Sequence, residues 1–167
     1  LKGYGLEDVG VSTGRTVDTN DFLQTNYPNI YAAGDVAGPY QFTHTAAHQA
    51  WYAAVNALFD PFKKFKADYS VIPWATFVEP EVARVGLSET EAVQRGIAHR
   101  VYRFPFEEID RARAEGEVEG FAKLVTDPKG KILGAAIVGA HAGELIAEIT
   151  LAMSQGLSAK HLSLLHI

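Results

Sequence analysis

Asp35 ends an apolar run, Asn29-Ile30-Tyr31-Ala32-Ala33-Gly34-Asp35-Val36, and eight residues later Thr43 opens an alanine-rich stretch that continues to Phe59. The apolar residues predict a short strand over 29–33. The alanines, with Trp51, Tyr52, Val55, Leu58 and Phe59 among them, predict a helix over 43–59, capped by Thr43 and stopped at Asp60-Pro61. In open α/β sheets, ligands bind beyond the carboxyl ends of strands. A carboxylate there can accept hydrogen bonds from two neighbouring hydroxyls of a polyol. Gly34 leaves space beside it, and the helix start offers N–H groups and partial positive charge to an electron-rich ring. Gly-Asp turns are common, so spacing alone favours an ordinary turn.

Other constellations weigh less. His44 and His48 are four apart on the predicted helix, a spacing at which two imidazoles can share a metal, but no third ligand or His-Glu-x-x-His pattern accompanies them. Gly10-Val11-Ser12-Thr13-Gly14 has the spelling of a nucleophile elbow. That motif needs a strand before the serine and a helix after it, whereas Arg15 to Asn20 reads as strand and turn. Gly3-Tyr4-Gly5 begins like a dinucleotide fingerprint, but Asp8 occupies the third glycine position. Glu144 and Glu148 are one helical turn apart and read as solvent-facing or bonded to nearby backbone. Asp110-Arg111-Ala112-Arg113 reads as a solvated loop. His161 and His166 have the chemistry of a general base but no nameable partner. The residues therefore predict no catalytic group and no metal site.

The elements that would position Asp35 form the first of two parts. Residues 1–62 read as turns, a short strand near Thr16-Val17-Asp18, the 29–33 strand and the long helix. That is a fragment of an α/β domain, because one strand cannot make a parallel sheet. Residues 63–69, with Lys63, Lys64 and Lys66, read as a linker. From residue 70 to 167 the pattern is α+β. Strands are predicted at 76–78, 82–86, 100–104, 121–126 and 132–138, the last two joined by the turn Asp127-Pro128-Lys129-Gly130-Lys131. Ser88 with Glu91 spells a capping box. An amphipathic helix is predicted over 143–155, and another over 158–166.

Bulk composition agrees with a folded chain. Apolar residues make up 47 % of the 167 and charged residues 21 %, which suits a real core and argues against disorder. The net charge of −5, with scattered lysine and arginine, disfavours nucleic acid as a partner. No run is long enough to predict a membrane span. There is no cysteine, so a disulfide or thiolate site is excluded within this sequence, and a cytoplasmic location is the default expectation.

Three segments together resemble the pyridine nucleotide-disulfide oxidoreductases, the family of lipoamide dehydrogenase, glutathione reductase and mercuric reductase. Asp18-Thr19-Asn20 through Thr25, followed by Pro28 to Val36, resembles the family's second flavin motif. Thr76-Phe77-Val78-Glu79-Pro80-Glu81-Val82-Ala83-Arg84-Val85-Gly86-Leu87-Ser88-Glu89 resembles the opening of its C-terminal dimerisation domain. Arg111-Ala112, Glu119 to Leu124 and Gly139 to Ile146 resemble later parts of that domain. The resemblance implies an α+β fold, with an antiparallel sheet flanked by helices, preceded by part of an α/β FAD-binding domain. It implies FAD contacts at Gly34, Asp35, Phe42 and Thr43, with Asp35 on the ribityl chain and Thr43 at the ring edge. It implies NAD(P)H as co-substrate and a homodimer formed through residues 70–167. The family's glycine-rich ADP fingerprint, cysteine pair and NAD(P) domain would lie upstream of Leu1. Its catalytic histidine would follow Ile167 and is not His166. The expectation is a C-terminal piece of an oxidoreductase, inactive alone. The alternative expectation is an independent self-associating module without redox chemistry.

Overall fold

Two apolar segments joined by a tight turn form the centre of the sheet. The computed structural model describes residues 1–162 and divides into two compact units, Leu1–Tyr69 and a second from Ser70 onward. In the second unit, Phe121–Thr126 (β4) pairs antiparallel with Ile132–Val138 (β5). Asp127 turns the chain between them. Its Oδ1 accepts from the N–H groups of Lys129 and Lys131, each at 2.8 Å, and Gly130 takes the left-handed conformation with φ +89°. Val82–Gly86 (β2) lies on the other side of β5, and Pro73–Thr76 (β1) forms the edge beyond it. Arg100–Pro105 (β3) is the opposite edge, giving the order β1-β2-β5-β4-β3, antiparallel throughout.

Because side chains alternate along each strand, the sheet has two unlike faces. One carries Ala75, Ala83, Val85, Ala122, Leu124, Ala135 and Ile137, and the helix Ala142–Ser154 (α4) packs Ala142, Ile146, Ile149 and Met153 against it. Phe106, Ile109 and Ala112 complete this core. They come from a 3-10 turn, Phe106–Glu108, and a short helix, Asp110–Glu115 (α3). On the other face the register aligns Trp74, Arg84, Ala136, Lys123 and Arg103 in one row across all five strands. The helix Glu89–Gln94 (α2) is tied to this row by Glu91 to Arg84 at 2.6 Å and by Glu89 to Lys123 at 2.5 Å. The Arg84 guanidinium also lies over the Trp74 ring, 4.6 Å from its centroid.

Two glycines permit a close approach at the heart of the sheet. Gly86 and Gly134 are register partners. A Cβ on Gly134 would run into the Leu87 carbonyl, and one on Gly86 into the Leu133 carbonyl and the Met153 methyl. Only residues without side chains fit.

Helix starts are secured in two ways. At α2 the predicted capping box is present: the Ser88 hydroxyl accepts from the Glu91 N–H at 3.1 Å, and Glu91 accepts from the Ser88 N–H at 2.7 Å. At α4 the N-cap residue, His141, is left-handed with φ +59° and makes no side-chain cap. Glu81 supplies one from the β1–β2 connection. Its carboxylate accepts from Gly143 N–H at 3.0 Å and its carbonyl from Gly139 N–H at 2.9 Å. A last short helix, Ala159–Leu162 (α5), follows, and its Ala159 N–H bonds to the Gly130 carbonyl at 2.9 Å.

The first unit is built around one 17-residue helix, Thr43–Phe59 (α1). The face it buries is polar: Thr45, Gln49 and Asn56 are enclosed, whereas Trp51, Leu58 and Phe59 are exposed. Asn56 donates to the carbonyls of Phe22 (3.0 Å) and Phe65 (2.8 Å) and accepts from Phe65 N–H (2.7 Å). Residues 63–69 lie against this unit, with Lys66 paired to Asp21 at 2.7 Å and Ala67 N–H bonded to the Asp21 carbonyl at 2.9 Å.

Several expectations need correcting. The 29–33 segment is no strand. It makes a single bridge, Tyr31 to Gln24, flanked by Thr25 N–H to Ile30 carbonyl and Ala32 N–H to Leu23 carbonyl, and has no ladder neighbour among the described residues. Thr16-Val17-Asp18 likewise reduces to a bridge between Thr13 and Val17. The N-cap of α1 is Phe42, and Thr43 is already helical. β1 is shifted to Pro73–Thr76, leaving Phe77 and Val78 exposed beyond it. Asp110–Arg113 is helical, because buried Phe106 anchors its start and Gly116 ends it in the left-handed conformation. The predicted helix over 158–166 extends past the described residues.

Two outcomes follow for stability. The Ser88 backbone N–H, then its hydroxyl and the Arg84 guanidinium, hold the Glu91 carboxyl down to about 2. A lowered pKa adds stability above the unfolded value near 4.5 and loses it as pH falls toward 2. The urea midpoints of wild type and Glu91→Gln should therefore converge as the pH drops through that window. With 37 % of the Glu91 side chain exposed, the gap at neutral pH is small. Glu81→Ala should cost about 1 kcal/mol of unfolding free energy at neutral pH, measured by denaturant titration, since it removes the carboxylate that accepts from Gly143 N–H at the start of α4.

Candidate functional site

The Gly34–Gly38 loop is where the sequence places its chemistry. Gly34 is buried and left-handed, φ +82°, and a Cβ there would meet the Ala46 Cβ of α1 at 3.3 Å. The loop closes on itself: the N–H groups of Ala37 and Gly38 turn to the Gly34 carbonyl at 2.9 and 3.2 Å. It is also bound to α1, because Gly34 N–H donates to Gln49 Oε1 at 2.6 Å and Gln49 Nε2 donates to the Gly38 carbonyl at 2.6 Å. Within this fastened loop Asp35 keeps its side chain exposed. Gln41 Nε2 donates to the Asp35 carbonyl at 3.2 Å, which joins Asp35 to the residue just before the α1 N-cap.

The start of α1 is open electrostatically. Phe42 provides no side-chain cap, and the first turn holds no acidic residue. A 17-residue helix therefore presents its positive end with no carboxylate in its own first turn. In the same turn, the Thr45 hydroxyl is buried and, among the described residues, has no hydrogen-bond partner. Phe42 and Thr43 thus stand at the start of this helix, and Gly34 and Asp35 on a loop stitched to it. A group with polyol hydroxyls and an electron-rich edge suits this donor and acceptor set.

Two recesses flank the loop within this unit. A polar one of about 650 Å³ is lined by Ala37, Gly38 and Gln41 with Asp18, Asn20 and Tyr69. An apolar one of about 510 Å³ is lined by Tyr31, Ala32, Ala33 and Val36 with Leu6 and Val11. Asp35 lines neither recess.

His48 bonds to the Asp68 carbonyl at 2.7 Å and packs edge-on to Tyr52 at 5.0 Å, while the His44 ring stacks on Phe42 at 5.4 Å. No cluster of three or more potential metal ligands occurs among the described residues. Ser12 has no helix after it, and its N–H donates to Asn26 Oδ1 at 2.9 Å. Glu144 and Glu148 are exposed on α4. His161 is engaged locally with Ser158. His166 lies outside the described residues. Among the described residues, no helix is long and apolar enough to cross a membrane. Gln49, Gln41 and Tyr69, which fasten or line this corner, carry no motif that marks them in the sequence.

Comparison with known proteins gives these features a family. Residues 72–165 match the model of the pyridine nucleotide-disulphide oxidoreductase dimerisation domain, and residues 2–50 match that of pyridine nucleotide-disulphide oxidoreductase. The chain belongs to the pyridine nucleotide-disulphide oxidoreductase family. Family members similar to it include the dihydrolipoyl dehydrogenase of Chlamydia muridarum, 44 % identical over 160 residues, covering 94 % of this chain and 34 % of that protein. Dihydrolipoyl dehydrogenase of Mycobacterium leprae is 41 % identical over 165 residues, covering 97 % and 35 %. Among solved structures, LpdA from Mycobacterium tuberculosis superposes with a TM-score of 0.86 at 27 % identity, over 99 % of this chain and 37 % of that one. The flavoprotein disulfide reductase RclA from Escherichia coli gives 0.78 at 29 % identity, over 92 % and 36 %. The chain spans about a third of the length of these relatives. Its five-stranded antiparallel sheet with packed helices is the α+β fold of the dimerisation domain.

Gly34→Ala tests whether the loop is held as described. It forces a side chain into left-handed backbone and against Ala46. It should destabilise the first unit by about 1–2 kcal/mol, read as a lower denaturant midpoint.

Proposed function

We propose that this chain forms the Asp35 side of a flavin site and the dimerisation domain of a FAD-dependent oxidoreductase that draws hydride from NAD(P)H and reduces a disulfide-type acceptor. One observation carries the reading: the exposed Asp35 carboxylate lies on a loop fastened to α1, whose start has neither a capping side chain nor an acidic residue. The order of the two family matches along the chain supports it.

FAD, when bound, supplies the isoalloxazine that accepts the hydride and passes electrons on. The chain's own residues bind and orient it. Asp35 accepts hydrogen bonds from ribityl hydroxyls. Gly34, without a side chain, lets the Asp35 loop lie close against α1. Phe42 and Thr43, at the positive end of α1, would hold the electron-rich edge of the ring, and that end would favour negative charge beside it. Residues 1–62 serve as the flavin-binding part, 63–69 follow as a connecting stretch, and residues 70–167 form the homodimer interface. On this reading the 167 residues alone catalyse nothing and hold FAD weakly, because they span only about a third of the length of the relatives.

The test is flavin content and assembly. The longest natural polypeptide carrying this chain should purify yellow and release FAD on denaturation, and Asp35→Ala in it should weaken FAD binding at least tenfold, about 1.4 kcal/mol. The 167-residue chain should sediment as a dimer and bind FAD more weakly than micromolar or not at all. A colourless parent that cannot be reconstituted, together with a dimeric chain, would replace this reading by that of a self-associating module without redox chemistry.

A further inference from the structure

The Gln49 carboxamide is fully buried, and its backbone partners dictate which way it points. Gly34 N–H can only donate, and the Gly38 carbonyl can only accept. The amide oxygen must therefore face Gly34, and the nitrogen Gly38, both at 2.6 Å. The second amide proton goes to the Tyr69 phenol at 2.9 Å, which accepts it. One side chain thus ties both ends of the 34–38 loop to α1. Asp35 is the second residue of that loop, and its carboxylate takes no part in the tie. The distance of Asp35 from the helix is set from behind.

We propose that Gln49 is the positioning residue of the flavin corner, the group that fixes where Asp35 meets the ribityl chain. This inference rests on the flavin reading given above. Leucine at 49 would fill similar space, yet leave Gly34 N–H and the Gly38 carbonyl without partners. Glutamate at 49 is more telling. Ionised, it can accept from Gly34 but cannot donate to Gly38, and two acceptors would confront each other. Protonated, a carboxylic acid reproduces both bonds, carbonyl to Gly34 N–H and hydroxyl to the Gly38 carbonyl. Its burial favours the protonated form. The titratable groups nearby are Tyr69, which burial holds above its ordinary value, Tyr40, Tyr52 and Asp21 around that phenol, His48 beside it on α1, and Asp35 on the loop. Wild type carries all of them and serves as the control.

The experiment uses the full-length parent polypeptide stripped of flavin and titrated with FAD at pH 8 and pH 5.5. Relative to wild type, Gln49→Leu should bind at least tenfold more weakly at both values. Gln49→Glu should be at least tenfold weaker at pH 8 and return to within about threefold of wild type at pH 5.5, with the flavin absorbance band recovering its wild-type shape. Loss of general stability would not reverse with proton concentration in this way. If Gln49→Leu fails to fold, Gln49→Glu decides alone, with circular dichroism showing it folded at both pH values. Wild type that binds FAD beside a folded Gln49→Glu whose ratio to wild type is the same at both pH values overturns the positioning role and leaves the flavin reading standing. Wild type that takes up no FAD overturns both.

Discussion

A carboxamide enclosed in protein has to find a donor and an acceptor, and the first unit is arranged to provide them. Gln24, Gln49 and Asn56 are each almost fully enclosed. Each gathers segments distant in sequence. Gln24 Nε2 reaches the Pro28 carbonyl, the Tyr31 hydroxyl and Asp60. Gln49 gathers the 34–38 loop and Tyr69, and Asn56 joins Phe22 to Phe65. Little of this unit besides α1 is regular structure, so its backbone groups cannot satisfy one another in ladders. Side-chain amides replace them. Such bonds are directional, and a loop held by them keeps its shape better than one resting on apolar contact alone. That is what a carboxylate needs if it is to meet hydroxyls at fixed positions.

The second unit solves the opposite problem. Its backbone is paired along the sheet, so its specificity comes from side-chain alternation. One face is aliphatic and covered by α4, while the other carries the row from Trp74 to Arg103, in which Glu91 and Glu89 neutralise Arg84 and Lys123. The ion pairs hold α2 in place without adding apolar area. Both edge strands leave large apolar groups uncovered, with Val101, Tyr102 and Phe104 on β3 and Phe77 and Val78 just after β1. A match to a dimerisation domain accords with a unit whose own helices do not cover all of its apolar surface.

Much of this was legible in the residues. β2, β4 and β5 fall where alternation and turn chemistry predict them, and Ser88 with Glu91 caps α2 as spelled. α1 spans its predicted range because alanine content and Asp60-Pro61 mark both its body and its end. The errors share a cause. The 29–33 segment has strand composition, but a strand exists only when paired, and pairing is not a local property. Asp110–Arg113 looked like solvated loop because the anchor of α3, Phe106, lies outside the charged stretch. At the candidate site, Asp35 stood out only through the resemblance of residues 28–36 to a flavin motif, since spacing alone favoured an ordinary turn. Gln49 did not, since nothing in a helical glutamine reveals that it is buried.

The meeting of Gly86 with Gly134 bears on how faithfully the strands find one another. Slide β5 by one residue and Ala135 or Leu133 takes the place of Gly134, bringing a side chain where the Leu87 carbonyl leaves no room. The same slide would also reverse which side chains face α4. The mismatched sheet is thus penalised twice, by collision at the centre and by polarity across its breadth. Two residues with nothing to contribute by contact act as a vernier for the assembly of all five strands.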